Sequence, residues 1–394
     1  MKVAIIVRRL NVKGGTQRQA LNLASELKKR GHDVTLYTFL FSVRDCYPEL
    51  LEGLKVVDLG AYPSGGILGD CAENRAARLL AAKIDRATDI LNPHDQVAYK
   101  VAAYFKKRVR AIPSVWMMND VPTRLRAEER LKEAKPGTSI PWHKRIVHRA
   151  LDWYDRKTFI VGQDVILALD ERDRGWAESE FGMQAHVIRS GVSYEQFPYR
   201  RRISVSTPPR LLMAGIFFPH RRFEDGIEAV ELLGGQGIPV ELTIAGDTGS
   251  DRKYAEKIKK LISERRLEQS VRLAGKVSDS ELRRMYRECD IFLFPNHLQS
   301  WGLAVFEAMS SGAVVVVSQT AGAAEVLEDR STALIVPPKS PSAIASAVAS
   351  LVQDPALFAH MSEGGRAFVE SRMSWSRFTD DMEKFFATAL KKHE

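Results

Sequence analysis

The chain has 394 residues, of which 45% are hydrophobic and 27% charged, and its Lys and Arg exceed its Asp and Glu to give a net charge of +9. This is ordinary globular composition, so disordered, collagenous and fibrous classes are excluded. No stretch of about 18 consecutive apolar residues occurs, which excludes a membrane-spanning helix, and at roughly 100–200 residues per domain the length predicts two or three domains.

Lys2–Val7 is a short apolar run and reads as a buried strand; Arg8 and Arg9 cut it too short for a signal peptide. A loop through Gly14, Gly15 and Thr16 leads into a helix from Gln17, with Ala20, Leu21, Leu23, Ala24 and Leu27 on one face and Gly31 as its stop. Asp33–Phe39 is the next strand, so the chain opens with a βαβ unit and predicts a parallel sheet. Further strands are expected at Lys55–Leu59, Asp89–Leu91, Ser114–Met118, Val165–Leu169 and His186–Arg189. A helix is expected at Ala76–Ala87, and residues 122–158 form a charged helical region broken at Pro136-Gly137. YRRRISVSTPP, from Tyr199 to Pro209, is polar, lacks a core pattern and reads as a linker.

A second α/β series follows. Strands are expected at Arg210–Ala214, Val240–Ala245, Val271–Leu273, Ile291–Phe294, Ala313–Val317 and Ala333–Val336. Helices are expected at Asp225–Gly234, Tyr254–Arg266 and Ser280–Glu288, after Gly302, at 341–352 and 355–370, and from Ser376. Both halves therefore read as doubly wound α/β domains, which bind ligands outside the C-terminal ends of their strands.

The charge is uneven. Residues 1–200 carry the whole excess, and residues 101–150 alone hold 12 Lys and Arg against 4 acids. FKKRVR at 105–110 and WHKRIVHR at 142–149 interleave cations with Trp, Val and Ile. Such a face suits anionic lipid or another polyanion, or is simply solvated. It lacks a regular aromatic or base-reading arrangement, so no nucleic acid is expected. Cys46, Cys71 and Cys289 lie far apart, form no disulfide framework or metal-ligand spacing, and point to a reducing cytoplasm.

The segment 295–327, PNHLQSWGLAVFEAMSSGAVVVVSQTAGAAEVL, resembles the nucleotide-sugar site of retaining glycosyltransferases of family four, the glycosyl transferases group 1. The resemblance is carried by Ser300-Trp301-Gly302-Leu303, Glu307-Ala308-Met309, Gly312, Val314-Val315, Gly322 and Glu325. It extends to Gly14-Gly15-Thr16, to Gly31-His32-Asp33-Val34, to Ile188–Val192 with Phe197, to Gly275, Ser280–Leu282 and Tyr286, and to 357–375. It implies the GT-B fold: two Rossmann-like domains facing across a cleft, with the last helix crossing back to the first domain. The expected division is 1–198 with 376–394 for the acceptor, a linker at 199–209, and 210–375 for the donor.

The resemblance also implies residue roles. Gly302, Leu303 and Ala304 would sit at a helix N-terminus, whose free N–H groups and dipole bind phosphate without metal. Glu307 lies about 7–8 Å further along that helix, the reach from a diphosphate to its ribose hydroxyls. Gly14, Gly15 and Thr16 would meet phosphate in the same way from the first domain. Arg221 falls on the family's basic position for the leaving diphosphate, with Arg222 beside it. A second family Arg is missing at Ile216, where Arg222 is the candidate substitute. Base recognition would be largely by backbone near Lys276-Val277.

Two further departures stand out. Gln299 occupies the position of a family Glu close to the transferred sugar, and it keeps hydrogen bonding but loses charge. Asn119 stands at the apparent place of a family His at the end of strand 114–118. Asp120 beside it either faces the acceptor as a base or caps the turn before Val121-Pro122. His94-Asp95, ending an earlier strand, could also line the cleft; His94 is an acceptor-side candidate or a structural group, and Lys106, Lys107 and Arg108 are acceptor-side candidates by charge. No metal motif is present in context, so no metal or cofactor is expected beyond the nucleotide-sugar co-substrate.

The resemblance implies transfer of a hexose from a UDP- or GDP-linked donor to a saccharide or lipid-linked acceptor in cell-surface polysaccharide or glycolipid synthesis. Front-side displacement is implied, with domain closure excluding water. The expected setting is the cytoplasm, at the inner membrane face. The alternative is a non-catalytic nucleotide- or glycan-binding relative, suggested by Gln299 and Asn119.

Overall fold

The computed structural model describes residues 1–62, 69–134, 139–299 and 301–393. The expected helix break at Pro136-Gly137, and Ser300 of the motif segment, lie outside the described residues. The chain divides into two compact units, one of residues 1–191 with 375–394 and one of residues 192–374.

The first unit is built on seven strands: β1 (Lys2–Leu10), β2 (Asp33–Phe41), β3 (Lys55–Asp58), β4 (Ile90–His94), β5 (Val115–Met118), β6 (Val165–Ala168) and β7 (Ala185–Val187). Their order is β3-β2-β1-β4-β5-β6-β7, and every pairing is parallel. Parallel sheets are covered on both faces, so their strands read as unbroken apolar runs, as Val3–Val7 and Val115–Met118 do. The helices are α1 (Gly15–Lys29), the short α2 (Pro48–Leu51), α3 (Gly69–Lys83), α4 (Ala98–Arg108), α5 (Arg124–Ala134), α6 (Trp142–Asp155) and α7 (Glu171–Phe181). Leu80 of α3 and Val101 and Phe105 of α4 pack with Ala4 and Ile6 in one core.

Two helices exceed the sequence expectation. In α4, Ala98, Val101, Ala102 and Phe105 recur at helical spacing and are all buried, although the run of cations at its end dominates the sequence. In α7 the apolar signal is weak, but the ends are marked: Asp170 accepts from the Asp173 N–H and Gly182 adopts the left-handed stop. The helix expected at 76–87 starts at Gly69 and ends at Lys83, because Asp85 turns the chain by accepting from the Ala87 N–H.

The second unit has six parallel strands: β8 (Arg210–Ala214), β9 (Glu241–Ala245), β10 (Val271–Gly275), β11 (Ile291–Phe294), β12 (Val314–Ser318) and β13 (Leu334–Val336), in the order β10-β9-β8-β11-β12-β13. Between them run α8 (Phe223–Gly235), α9 (Arg252–Glu264), α10 (Asp279–Glu288) and α11 (Leu303–Ser310), followed by α12 (Pro341–Gln353) and α13 (Pro355–Arg372). Each sheet reverses direction of strand addition once, between β1 and β4 in the first and between β8 and β11 in the second. Such switch points open a crevice beyond the strand ends.

The segment 199–209 forms neither helix nor strand and lies within the second unit. The buried Arg202 donates to Asp290 at 3.1 Å, and the same carboxylate accepts from the N–H groups of Ser206 and Arg210. The polar character of the segment thus serves a buried ion pair that the sequence does not announce. The last helix, α14 (Trp375–Lys391), belongs to the first unit and packs against α1.

Candidate functional site

In the second unit the polar groups gather at the switch point. Arg221 closes a short helical turn, Pro219–Arg221, after β8. Its guanidinium is buried, and burial lowers its pKa to about 10, so it stays cationic near neutrality. Its Nε has no hydrogen-bond partner among the described residues. The Asn296 amide, turned to match its neighbours, accepts from Arg221 Nη1 at 2.8 Å and donates to the Arg221 carbonyl at 3.3 Å. A buried cation held by an amide, with no carboxylate partner among the described residues, is a ready anion receptor.

Arg222 is placed differently. Its left-handed backbone (φ 55°) turns its guanidinium onto α8, where it meets Glu224 at 3.1 Å and Asp225. The two neighbouring arginines are therefore separated: one is committed to its own helix and the other faces the β11 loop.

The loop after β11 carries the motif segment. The His297 N–H donates to the His220 carbonyl at 2.8 Å, joining this loop to the Arg221 turn. The Gln299 carbonyl accepts from the Gly322 N–H at 2.8 Å, and the Trp301 carbonyl from the Ala323 N–H at 3.0 Å. Gly302 caps α11 with φ 106°, and a Cβ there would lie 2.9 Å from the Phe294 ring, so only glycine fits. Gly302, the cap residue, has no side chain to cap this helix end. Leu303 and Ala304 thus stand in the first turn, where helical N–H groups lack intrahelical acceptors. Glu307, one turn further on, is buried and accepts from Tyr286 Oη at 3.3 Å. Val277 lies half-buried after β10. Nearby, Gly246 passes so close to the Gly215 carbonyl that a Cβ would stand 1.8 Å from it, which keeps the ends of β8 and β9 low.

In the first unit the switch point holds a cavity of about 290 Å³, lined by Arg8, Arg9, Val12, Thr16, Gln17, Asp95, Gln96, Asn119 and Asp120. Thr16 and Gln17 come from the start of α1, whose cap, Gly14, makes no side-chain hydrogen bond to the helix. Gln17 reaches back to donate to the Arg9 carbonyl at 3.0 Å. Neither amide atom of Asn119 has a partner among the described residues. A buried amide left unpaired costs about 1–3 kcal/mol, which a sugar hydroxyl can recover.

Asp95 also lines the cavity; the sequence offers it together with His94 at a strand end but makes only His94 an acceptor-side candidate. Burial raises its pKa to about 8, against the opposing pull of Arg8, and its Oδ1 is unpartnered. Its backbone is left-handed (φ 67°), as is that of Val97 (φ 70°). Such conformations are strained for these side chains and persist where the surroundings enforce them. Here the Asp95 N–H donates to Met117, and Trp116 Nε1 donates to the Asp95 carbonyl at 3.0 Å. The signal that could have found it is a carboxylate ending an otherwise buried strand at the switch point.

His94, the neighbour chosen from sequence, does not line the cavity. It is fully buried, its Nε2 pairs with Asn92 Oδ1 at 2.9 Å, and burial lowers its pKa to about 3. It is a neutral packing group. Lys106, Lys107 and Arg108 do not reach the cavity either. They end α4, which runs back antiparallel to the strands, so they lie at the opposite edge of the sheet. Lys106 is held there by Asp164 at 2.6 Å and by the Gly162 carbonyl, both preceding β6.

Two family models match the chain: Glycosyltransferase Family 4 over residues 13–196 and Glycosyl transferases group 1 over residues 198–368. Among curated proteins it is similar to glycogen synthase of Mycobacterium tuberculosis H37Rv, 23% identical over 92% of this chain and 88% of that protein. It is likewise similar to phosphatidyl-myo-inositol mannosyltransferase of Mycobacterium leprae, 23% identical over 96% of this chain and 94% of that protein. Among solved structures, Anabaena HepE in complex with UDP and glucose superposes with a TM-score of 0.76 at 15% identity, covering 98% of this chain and all of that one.

Proposed function

Since the chain belongs to the family-four, group 1 glycosyltransferases, we propose that it moves a hexose from a UDP- or GDP-linked donor to a saccharide or lipid-linked acceptor, with retention at the anomeric carbon. The observation that supports this reading is Arg221, a buried cation with no carboxylate partner among the described residues, held by Asn296 on the loop that leads to α11 and Glu307. The diphosphate would lie against Arg221 and the first turn of α11, and the ribose hydroxyls on Glu307. The amide of Gln299 would contact the transferred sugar.

In front-side displacement the acceptor hydroxyl bonds to the anomeric carbon as the diphosphate oxygen leaves, and that oxygen takes the hydroxyl proton. The protein then needs charge stabilisation and positioning rather than a nucleophile. Arg221 and the α11 amides supply the charge in this reading without a metal. Asn119, Asp120 and Asp95 would hold sugar hydroxyls in the first-unit cavity, with Gly14, Gly15 and Thr16 presenting the α1 amides. A setting at the cytoplasmic face of a membrane, in cell-surface polysaccharide or glycolipid synthesis, fits the basic first half of the chain.

The test is a thermal-shift panel with UDP, GDP and ADP on the wild type and Glu307→Ala. A nucleotide at 100 times its Kd adds about 2.7 kcal/mol of stability. One nucleotide is expected to shift the wild type and not the variant, and its sugar conjugate to release nucleotide diphosphate on incubation. A shift without release supports the non-catalytic relative, which Gln299 and Asn119 would then explain. No shift with any nucleotide sinks the donor-site assignment.

A further inference from the structure

We propose that α6 is an interfacial helix that seats the first unit on an anionic lipid bilayer. Its large apolar side chains are turned outward: Trp142 is 74% exposed, Trp153 61%, Ile146 56% and Val147 54%, with Tyr154 beside them. At about 100° per residue these five, with His143 and Ala150, fall within about 140° of arc. Arg145 and Arg149 border that arc on one side and Lys144 on the other, all exposed. The two acids of the helix are on its inner side. Asp152 accepts from Arg124 Nη1 at 2.9 Å, and Asp155 meets Arg124 at 3.1 Å and Lys100 at 3.4 Å. His148 is turned inward onto Glu128.

The outward surface of α6 is therefore aromatic and aliphatic in the middle and cationic at its borders, with no acid on it. A core helix would bury that arc, and a solvated helix would not carry two Trp, an Ile and a Val on it. A second copy of the chain would bring Lys144 and Arg149 against their own kind. An anionic headgroup layer matches both parts, taking the Trp and Tyr rings at its boundary and the cations among its phosphates. The partner is placed usefully. Asp152 and Asp155 fix the base of α6 to Arg124 and Lys100, which follow β5 and β4 by a few residues, so the helix is rooted at the sheet edge that carries the Asp95–Asn119 cavity. The lipid surface deepens the membrane setting proposed above and does not depend on the sugar transfer.

The experiment is flotation of the full chain with vesicles of phosphatidylcholine alone and of phosphatidylcholine mixed with phosphatidylglycerol. The wild type is expected to float with the anionic vesicles only, with its Trp emission shifted to the blue. Trp142→Ser with Trp153→Ser, and separately Lys144→Glu with Arg149→Glu, should each lower the bound fraction by about tenfold or more. The altered side chains are exposed, so melting curves should be unchanged. Equal flotation of wild type and both variants overturns the proposal. So does a dimer in sedimentation that Trp142→Ser dissociates, or tighter binding to a single-stranded DNA probe than to anionic vesicles. Donor-dependent release of nucleotide diphosphate, assayed without vesicles, reports on the sugar-transfer reading by itself, so failure of either leaves the other standing.

Discussion

Between β8 and β11 of the second sheet, the switch point is filled by groups that already hold one another: Arg221 on Asn296, Tyr286 on Glu307, the Gln299 loop on Gly322. Between β1 and β4 of the first, the equivalent place holds a cavity with a raised carboxyl at Asp95 and an unpaired amide at Asn119. The same strand order thus carries two kinds of site. One is preorganised around a fixed charge, as a diphosphate that recurs with every donor requires. The other keeps its hydrogen-bonding groups unspent, as an acceptor site with several hydroxyls to satisfy would.

The largest expected effect lies at Arg221, and it separates that residue from its neighbour. Arg221→Met should lower donor-dependent nucleotide release by about 10²–10³-fold, the usual loss when one charge-stabilising group is removed from a transition state. Arg222→Ala should change the rate by less than about threefold and instead cost roughly 1 kcal/mol of stability, because it removes ion pairs to Glu224 and Asp225. Steady-state rates and melting curves on the two variants decide it. If Arg222→Ala proves the slower enzyme, the preorganised site is centred on the wrong arginine.

The contrast also explains what was legible in the sequence. The second site is read from contiguous residues, since Gly302, Glu307 and Gly322 sit at fixed spacing in one segment. The strands were legible for a similar reason: parallel, doubly covered strands are apolar runs. The first site is assembled from three separate strand ends, and its chemistry comes from burial, which spacing does not reveal. His94 has the reactive side chain, yet it is sealed between strands, while Asp95, one residue on, receives the cavity through a left-handed backbone. Charge misled in the same way. Lys106–Arg108 look like a binding patch until the direction of α4 sends them to the far edge. In 142–149 the opposite holds: α6 turns its acids inward and leaves its cations and aromatic rings exposed.

A middle-sized effect tests the first site through pH. The Asp95 pKa is raised from its ordinary 3.8 to about 8. The folded chain therefore holds a proton there that the unfolded chain has released, and stability from this group falls as pH rises from about 4 to about 8. Asp95→Asn removes the ionisable group, so its melting temperature should exceed that of the wild type at pH 8 and meet it near pH 4. Transfer should slow by roughly tenfold if the carboxyl bonds a substrate hydroxyl. A gap between the two melting curves that does not change with pH means that Asp95 is ionised against Arg8, and the first site is then as preorganised as the second.

The smallest effect concerns α14, which joins the first unit although it follows the second in sequence. Its buried face is Trp375, Phe378, Met382, Phe386 and Ala389, and at about 1.5–3 kcal/mol for each large side chain that face dominates its attachment. The polar edge of the contact is weaker. Arg30 meets Asp380 at 2.6 Å and also Glu383, and His32 Nε2 pairs with Glu383 at 2.8 Å. Burial alone would raise the Glu383 pKa, but the hydrogen bonds from His32 and Arg30 outweigh it and hold the carboxyl below its ordinary 4.5. A lowered carboxyl contributes stability above its unfolded pKa and loses it as pH falls through the folded one. Glu383→Gln should therefore cost no more than about 1 kcal/mol at pH 7, as exposed pairs do, and less at pH 4. Phe386→Ala should cost about 3 kcal/mol or more at both pH values. If the two substitutions cost the same at pH 7, the helix is held by charge rather than by its apolar face, and salt rather than mutation would be the way to release it.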